Sequence, residues 1–433
     1  MLTTAEPTLM RAIGRWSLTA GIVNGIIGSG IFGMPSAVAN LVGVWSPLAV
    51  LLAGCGVFFV VLCFAEVGSR FDDAGGPYLY TREAFGPAAG FQIGWLQIWT
   101  RLFSGAAALN ILVSYTGALI PPVETPLGRA ITMTGGIILV TLVNIAGVRN
   151  AAWTVNVFTI GKLLPLLMLV VLGSFHLSKG VLAGQVVSSP NWTEAVLLLV
   201  FAYGGFESAI IAASETQNPK RDTAFALVTA IVAVTAVYLL VQLAVVGVLP
   251  HAAQSSTPIA AALAELLGPV GSTIAGLGVV VSIYGWLTGF ALMTPRILYS
   301  MARRSEMPAF LASVHPRFLT PWASIAVNSA AVLVMGLASN FAQAATLAAI
   351  ARLAIFAVTC GTVIVFRMRD REPEGFHIPC GTAVAVIGIA FSAWLLSTRS
   401  FAQGWILIAI VASGMAFWSL KTINTGGLTR GKL

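Results

Sequence analysis

Long apolar runs dominate the chain. Val50 to Ala65 carries no charged residue, and Ala224 to Leu249 is almost as apolar. Neither run alternates in polarity, as the strands of an outer-membrane barrel do over ~10 residues. A membrane-spanning helix needs ~20 consecutive apolar residues. The pattern therefore predicts helices, at 17–44, 46–67, 88–120, 131–149, 151–174, 192–216, 223–249, 270–301, 322–339, 341–366, 381–397 and 403–420. The longest polar connectors are 68–87, 215–223, 303–320 and 367–379, too short for a separate soluble domain. The expectation is an all-α polytopic membrane protein: one transmembrane domain over 1–433, with about 12 transmembrane helices. The first run follows Arg11 and Arg15, is nearly 30 residues long and lacks a cleavage site, so it reads as a retained span.

Composition narrows the function classes. Apolar residues make up 58% of 433 and charged residues 9%, against roughly a quarter charged in a soluble domain. That excludes a soluble enzyme, a disordered chain and a nucleic-acid binder. The net charge of +8 is explained by where the cations fall, since Lys and Arg collect on the cytoplasmic side of membrane proteins. With the N-terminus inside, only Arg129, Lys179 and Arg399 lie outside, and Arg101, Lys162 and Arg352 lie within spans. The other 17 of the 23 Lys and Arg are cytoplasmic. This asymmetry supports an even number of spans, with both termini cytoplasmic. Cys55, Cys63, Cys360 and Cys380 form no CxxC pair and read as small core residues.

Two spans are interrupted. The first reads Gly21-Ile-Val-Asn24-Gly-Ile-Ile-Gly28-Ser29-Gly30-Ile-Phe-Gly33-Met-Pro35, and the sixth reads Phe201-Ala-Tyr203-Gly204-Gly205-Phe206-Glu207-Ser208. Each mid-helix glycine costs ~1 kcal/mol relative to alanine. Broken helices at membrane depth are tolerated where they line a cavity. Close packing of small residues is the other reading, and Gly21-xxx-Gly25 fits it. A phosphate loop at Gly28 to Gly30 lacks the strand that should precede it. If the chain is two five-helix repeats, 17–174 and 192–366, with 381–420 as two additional helices, spans one and six hold matching positions. Five is odd, so the second repeat is inverted. Paired interruptions of this kind point to the binding site of a secondary transporter.

Four motifs, in order along 20–370, resemble the amino acid–polyamine–organocation superfamily of permeases, and bacterial amino acid permeases in particular. They are Gly28-Ser29-Gly30-Ile31-Phe32 with Pro35, and Asp73-Ala-Gly75-Gly76-Pro77-Tyr78. The third is Phe201 to Ser208 followed by Glu215-Thr-Gln-Asn218-Pro219-Lys220-Arg221. The last is Pro295-Arg296-Ile-Leu-Tyr299-Ser-Met-Ala302-Arg303, with Met307-Pro308 and His315-Pro316-Arg317. The resemblance implies two inverted five-helix repeats plus two extra helices, with helices one and six broken.

It also implies a site for an amino acid. A helix N-terminus suits a carboxylate and the C-terminal carbonyls of a half-helix suit an ammonium. The family pattern puts Ser29 and Gly30 at the carboxylate, and the carbonyls of Ile26, Phe201 and Gly204 at the ammonium. Gly28, Gly30, Gly204 and Gly205 allow close approach. Phe201 falls at an aromatic gate, and Tyr203 and Phe206 either neighbour the pocket or pack against helices. Lys162, mid-span in Gly161-Lys162-Leu-Leu-Pro165, costs at least ~2.5 kcal/mol unpaired at bilayer depth. In sodium-independent relatives such a lysine takes the cation position between spans one and eight, holds the carbonyls of span one and can release a proton. Glu207 is a candidate gate or proton site, with a structural cap as the alternative. Arg101 and Arg352 are expected in structural ion pairs, Arg352 towards the cytoplasmic vestibule. The four histidines fall in loops and carry no role.

The expectation is a secondary active transporter moving amino acids, neutral ones first, across the plasma membrane by alternating access. It is sodium-independent and proton-coupled or exchanging, with the amino acid, H+ and the lipid bilayer as partners. A polyamine or acidic/basic amino acid antiporter or exporter is the alternative. A channel would need a continuous polar stripe, and an enzyme a cluster of His, Asp or Cys at membrane depth. No metal, cofactor or nucleic acid is expected.

Overall fold

The computed structural model describes residues 14–71, 76–147, 162–176, 187–209, 218–304, 306–369 and 375–429. Every regular element among them is helical. The helices are α1 (Arg15–Ile26), α2 (Gly30–Val42), α3 (Ser46–Gly68), α4 (Gly76–Phe85), α5 (Pro87–Leu119), α6 (Pro126–Ala146), α7 (Lys162–Ser174) and α8 (Trp192–Ala202). They continue with α9 (Phe206–Ala209), α10 (Pro219–Val248), α11 (Pro258–Leu267), α12 (Pro269–Arg303), α13 (Trp322–Ala338), α14 (Phe341–Arg369), α15 (Gly381–Ser397) and α16 (Phe401–Thr429).

Among the described residues, seven runs are long and apolar enough to cross a bilayer: Gly30–Gly68, Pro87–Leu119, Pro126–Ala146, Arg221–Val248, Pro269–Arg303, Phe341–Arg369 and Phe401–Ser419. Five further apolar helices are shorter. The chain is an all-α polytopic membrane protein. Proline in the first turn, where its missing N–H costs nothing, starts α3, α5, α6, α11 and α12. The hydroxyl of Thr125 caps α6 by accepting from Gly128 N–H at 3.0 Å, and the amide oxygen of Asn191 caps α8 by accepting from Glu194 N–H at 3.1 Å. Gly43, at φ 59°, lets the chain leave α2 and re-enter as α3 after a single 3₁₀ turn.

Both expected interruptions are present. The first run stops at Ile26 and resumes at Gly30; the sixth stops at Ala202 and resumes at Phe206. α2, the second half of the first run, packs on α8, and α1, its first half, packs on α9. The two broken runs therefore lie side by side in opposite directions. α10 packs against α1 and α3, and α14 against α5 and α8, so the breaks sit inside a ring of continuous helices. Phe64 (α3), Phe206 (α9) and Phe356 (α14) fill the space beside the second break, with ring centroids 5.1–5.8 Å apart.

Two helices fall where connectors were expected. α4 is too polar to read as a span, yet Tyr80 buries its ring against Phe71 at 5.1 Å. α11, only ten residues long, buries Ile259, Ala262 and Leu263. The expected segments 151–161 and 210–216 lie outside the described residues. So do Asp73 to Gly75, Arg149, Lys179, Glu215 to Gln217 and Arg371.

Candidate functional site

At the end of α1 the helix runs out of hydrogen-bond partners. Ile27 N–H still donates to Val23, while Gly28 N–H turns back to the Ile26 carbonyl at 2.7 Å. The carbonyls of Asn24 and Ile27 are left to other donors. Lys162 supplies one for both: its ammonium donates to each carbonyl at 2.7 Å and is 5% exposed. The Tyr238 hydroxyl, from α10, lies 3.1 Å from the Ile26 carbonyl and 2.9 Å from that of Ala202. Its single proton serves one carbonyl at a time, and it ties the two breaks together.

On the other side of the first break, the opening turn of α2 has N–H groups with no intrahelical acceptor. The Ser29 hydroxyl sits at this end, 1% exposed, with no hydrogen-bond partner among the described residues. The Asn24 side-chain oxygen is buried and unpartnered too. An orphaned hydroxyl at a positive helix end suits an anion.

The glycines of the breaks have different neighbours. A Cβ on Gly28 would sit 2.6 Å from the indole nitrogen of Trp286, which stacks on Phe290 at 4.7 Å. A Cβ on Gly30 would sit 2.9 Å from the Cα of Ala202. Gly30 thus permits the contact between α2 and α8. The side of Gly204 is taken by the guanidinium of Arg352. Gly205, at φ +119°, faces the Gly25 carbonyl.

The second break holds a buried ion pair. Arg352 Nε donates to Glu207 Oε1 at 2.8 Å, and Gly205 N–H donates to Glu207 Oε2 at 2.6 Å. Arg352 Nη1 also donates to the Phe201 carbonyl at 3.2 Å. Arg352 therefore lies in the break itself, 6% exposed, and not towards a cytoplasmic vestibule. Arg101 is 8% exposed, with its guanidinium 5.8 Å from the Phe290 ring centre and within electrostatic reach of Glu207 and Arg352.

The structure thus brings Ile26, Gly28, Ser29, Gly30, Phe201, Gly204, Lys162 and Glu207 to one place. Tyr203 turns away: it is fully buried and its hydroxyl donates to the Val50 carbonyl at 3.0 Å. The Phe201 ring lies 6.1 Å from that of Phe341, edge to face. Tyr238 and Trp286 escape sequence reasoning, because a lone aromatic in an apolar run gives no local signal of what it faces. In this conformation Tyr238 and Arg352 already hold two of the carbonyls that the resemblance implies for an ammonium. Ser29, Lys162, Glu207 and Arg352 are all nearly inaccessible to solvent, so a ligand reaches them only by rearrangement.

Two broken helices crossing at depth, each with charged or hydroxyl groups on its loosened backbone, define a helical membrane protein organised around its interruptions. The family model for amino acid permeases matches residues 13–420, and the chain belongs to that family. It is 29% identical to the serine/threonine exchanger SteT of Bacillus subtilis (strain 168), over 91% of this chain and 92% of that protein. It is 27% identical to the rat (Rattus norvegicus) large neutral amino acids transporter small subunit 2, over 90% and 76% of the two chains. A putative arginine/ornithine antiporter of Bacillus subtilis (strain 168) is 26% identical, over 89% and 91%.

Proposed function

We propose that this chain is a secondary transporter that moves amino acids across the plasma membrane by alternating access, with both termini cytoplasmic. Its reading is twelve crossings, as two inverted five-helix repeats followed by two further helices. The observation that carries the site is the Ser29 hydroxyl, buried and unpartnered at the N-terminal end of α2. A carboxylate there would gain the hydroxyl and the free N–H groups of the first turn. The substrate ammonium is drawn to the carbonyls across the break, where Tyr238 and Arg352 stand in for it in the closed form. Exchange fits the family, since one relative is named an exchanger and another a putative antiporter.

Neutral amino acids suit this site best. Among the described residues, the ionisable groups at the breaks are Lys162, Arg101 and Arg352 against Glu207, and Glu207 is already paired. A cationic side chain would arrive desolvated without a counter-charge, at roughly several kcal/mol, or about a thousandfold in affinity. Acidic side chains come second. The test is uptake into proteoliposomes from a panel of labelled amino acids, with and without internal substrate and a pH gradient. Alanine, leucine or methionine should compete best, and arginine, lysine and putrescine worst. Stronger inhibition by arginine or putrescine than by all three neutral compounds would overturn the substrate assignment.

A further inference from the structure

We infer that Arg352 is a specificity determinant: an internal cation that occupies Glu207 and so excludes cationic side chains from the break. The inference rests on the breaks being the substrate site. Among the described residues, Glu207 is the carboxylate that touches the second break. The other acids with named partners lie at helix ends: Glu66 pairs with Arg367 and Glu194 with Arg399. Glu207 has both oxygens engaged, one by Arg352 Nε at 2.8 Å and one by Gly205 N–H at 2.6 Å. The same guanidinium donates to the Phe201 carbonyl at 3.2 Å and fills the side of Gly204. Arg352 thus presents a planar cation to the groups a basic side chain would seek, namely a buried carboxylate and a buried carbonyl at the helix break. Its guanidinium places Nε on the acid and Nη1 on the backbone, two donors held in one rigid plane. Arg101, within reach of both, adds a second positive field against an incoming cation.

Glutamine at position 352 would remove the cation while keeping a hydrogen-bonding side chain. Glu207 would then be a buried, uncompensated carboxylate, and a lysine or ornithine side chain could neutralise it. Close opposite-charge pairs in desolvated sites are worth at least about tenfold in binding. The experiment measures binding of labelled alanine or leucine to purified wild type, Arg352→Gln, Glu207→Gln and the double variant, with unlabelled lysine, ornithine and aspartate as competitors. Wild-type binding of the labelled compound tests the site reading by itself. Given that binding, Arg352→Gln should be competed by lysine at least ~10-fold more strongly than wild type. The gain should vanish in the double variant, where no carboxylate remains. Glu207→Gln should instead raise competition by aspartate, because it frees Arg352, and this readout stands if Arg352→Gln does not fold. Unchanged lysine competition in a folded Arg352→Gln protein would overturn the inference. So would a lysine gain that persists in the double variant, or a Glu207→Gln protein with no aspartate gain.

Discussion

Gly30 separates two roles a glycine can play at a helix break. The expected role is to let a substrate carboxylate approach the backbone. The observed neighbour is protein: an added methyl would lie 2.9 Å from the Cα of Ala202 and 3.0 Å from its Cβ. Backbone atoms cannot swing aside as a flexible side chain can, so α2 would have to move off α8. Overpacking of this kind costs roughly 1–3 kcal/mol. Gly30→Ala should therefore lower the melting temperature in detergent as well as weaken substrate binding, because the same shift displaces Ser29. Gly21→Ala is the matched control: nothing lies within 4 Å of its added methyl, and alanine is the better helix former by ~1 kcal/mol. It should melt at or slightly above the wild-type temperature. Equal melting curves for Gly30→Ala and wild type would show that the α2–α8 contact is looser than the geometry requires.

At the scale of elements, the C-terminal end of α3 is locked to the chain that follows α14. Glu66 is fully buried and accepts from Arg367 Nε and Nη2, both at 2.7 Å, and from Ile378 N–H at 3.0 Å. Ser69 adds a hydroxyl that accepts from Phe376 N–H at 2.9 Å. These bonds hold the segment at 375–380 over the end of a helix that flanks the breaks. Glu66 is buried but Arg367 is part-exposed, so losing the acid leaves a partly solvated cation and costs less than the roughly 3–5 kcal/mol of a fully buried pair. Glu66→Gln leaves Arg367 without its counter-ion and should lower the melting temperature by several degrees, measured by intrinsic fluorescence in detergent. Arg367→Lys should recover little, since an ammonium cannot reproduce two parallel bonds to one carboxylate. A Glu66→Gln protein that melts with wild type would show that the lock carries no stability.

For the whole molecule, the question is what satisfies the loosened carbonyls at the end of α1 without an ion. Lys162 bonds the Asn24 and Ile27 carbonyls from α7, a helix distant in sequence. A tethered ammonium leaves no vacancy for a dissolved cation at that point, so replacing sodium by choline should leave uptake unchanged. Lys162→Ala would strand two buried carbonyls, each losing a charged hydrogen bond worth ~1.5–3 kcal/mol. Its uptake should fall at least ~100-fold, since 3 kcal/mol exceeds two factors of ten. A wild-type protein that stops transporting in choline would sink the role given to Lys162.

The sequence by itself determined the features that depend on near neighbours in the chain. Helicity followed from long apolar runs, because a lipid-facing backbone must satisfy its own hydrogen bonds. Both breaks were legible, because Gly28-Ser29-Gly30 and Gly204-Gly205 weaken the helix where they stand. α4 and α11 were not, since short helices in connectors owe their stability to what they pack on. The tertiary structure alone decided the partners. Arg352 reaches Glu207 across 145 residues, and Lys162 reaches Asn24 across 138. Each charge was visible as an anomaly at membrane depth, with no local pattern to say what it meets. That depends on how each helix is rotated about its axis, which packing sets. The same cause turned Tyr203 to Val50, brought Tyr238 to both breaks, and placed Trp286 against Gly28.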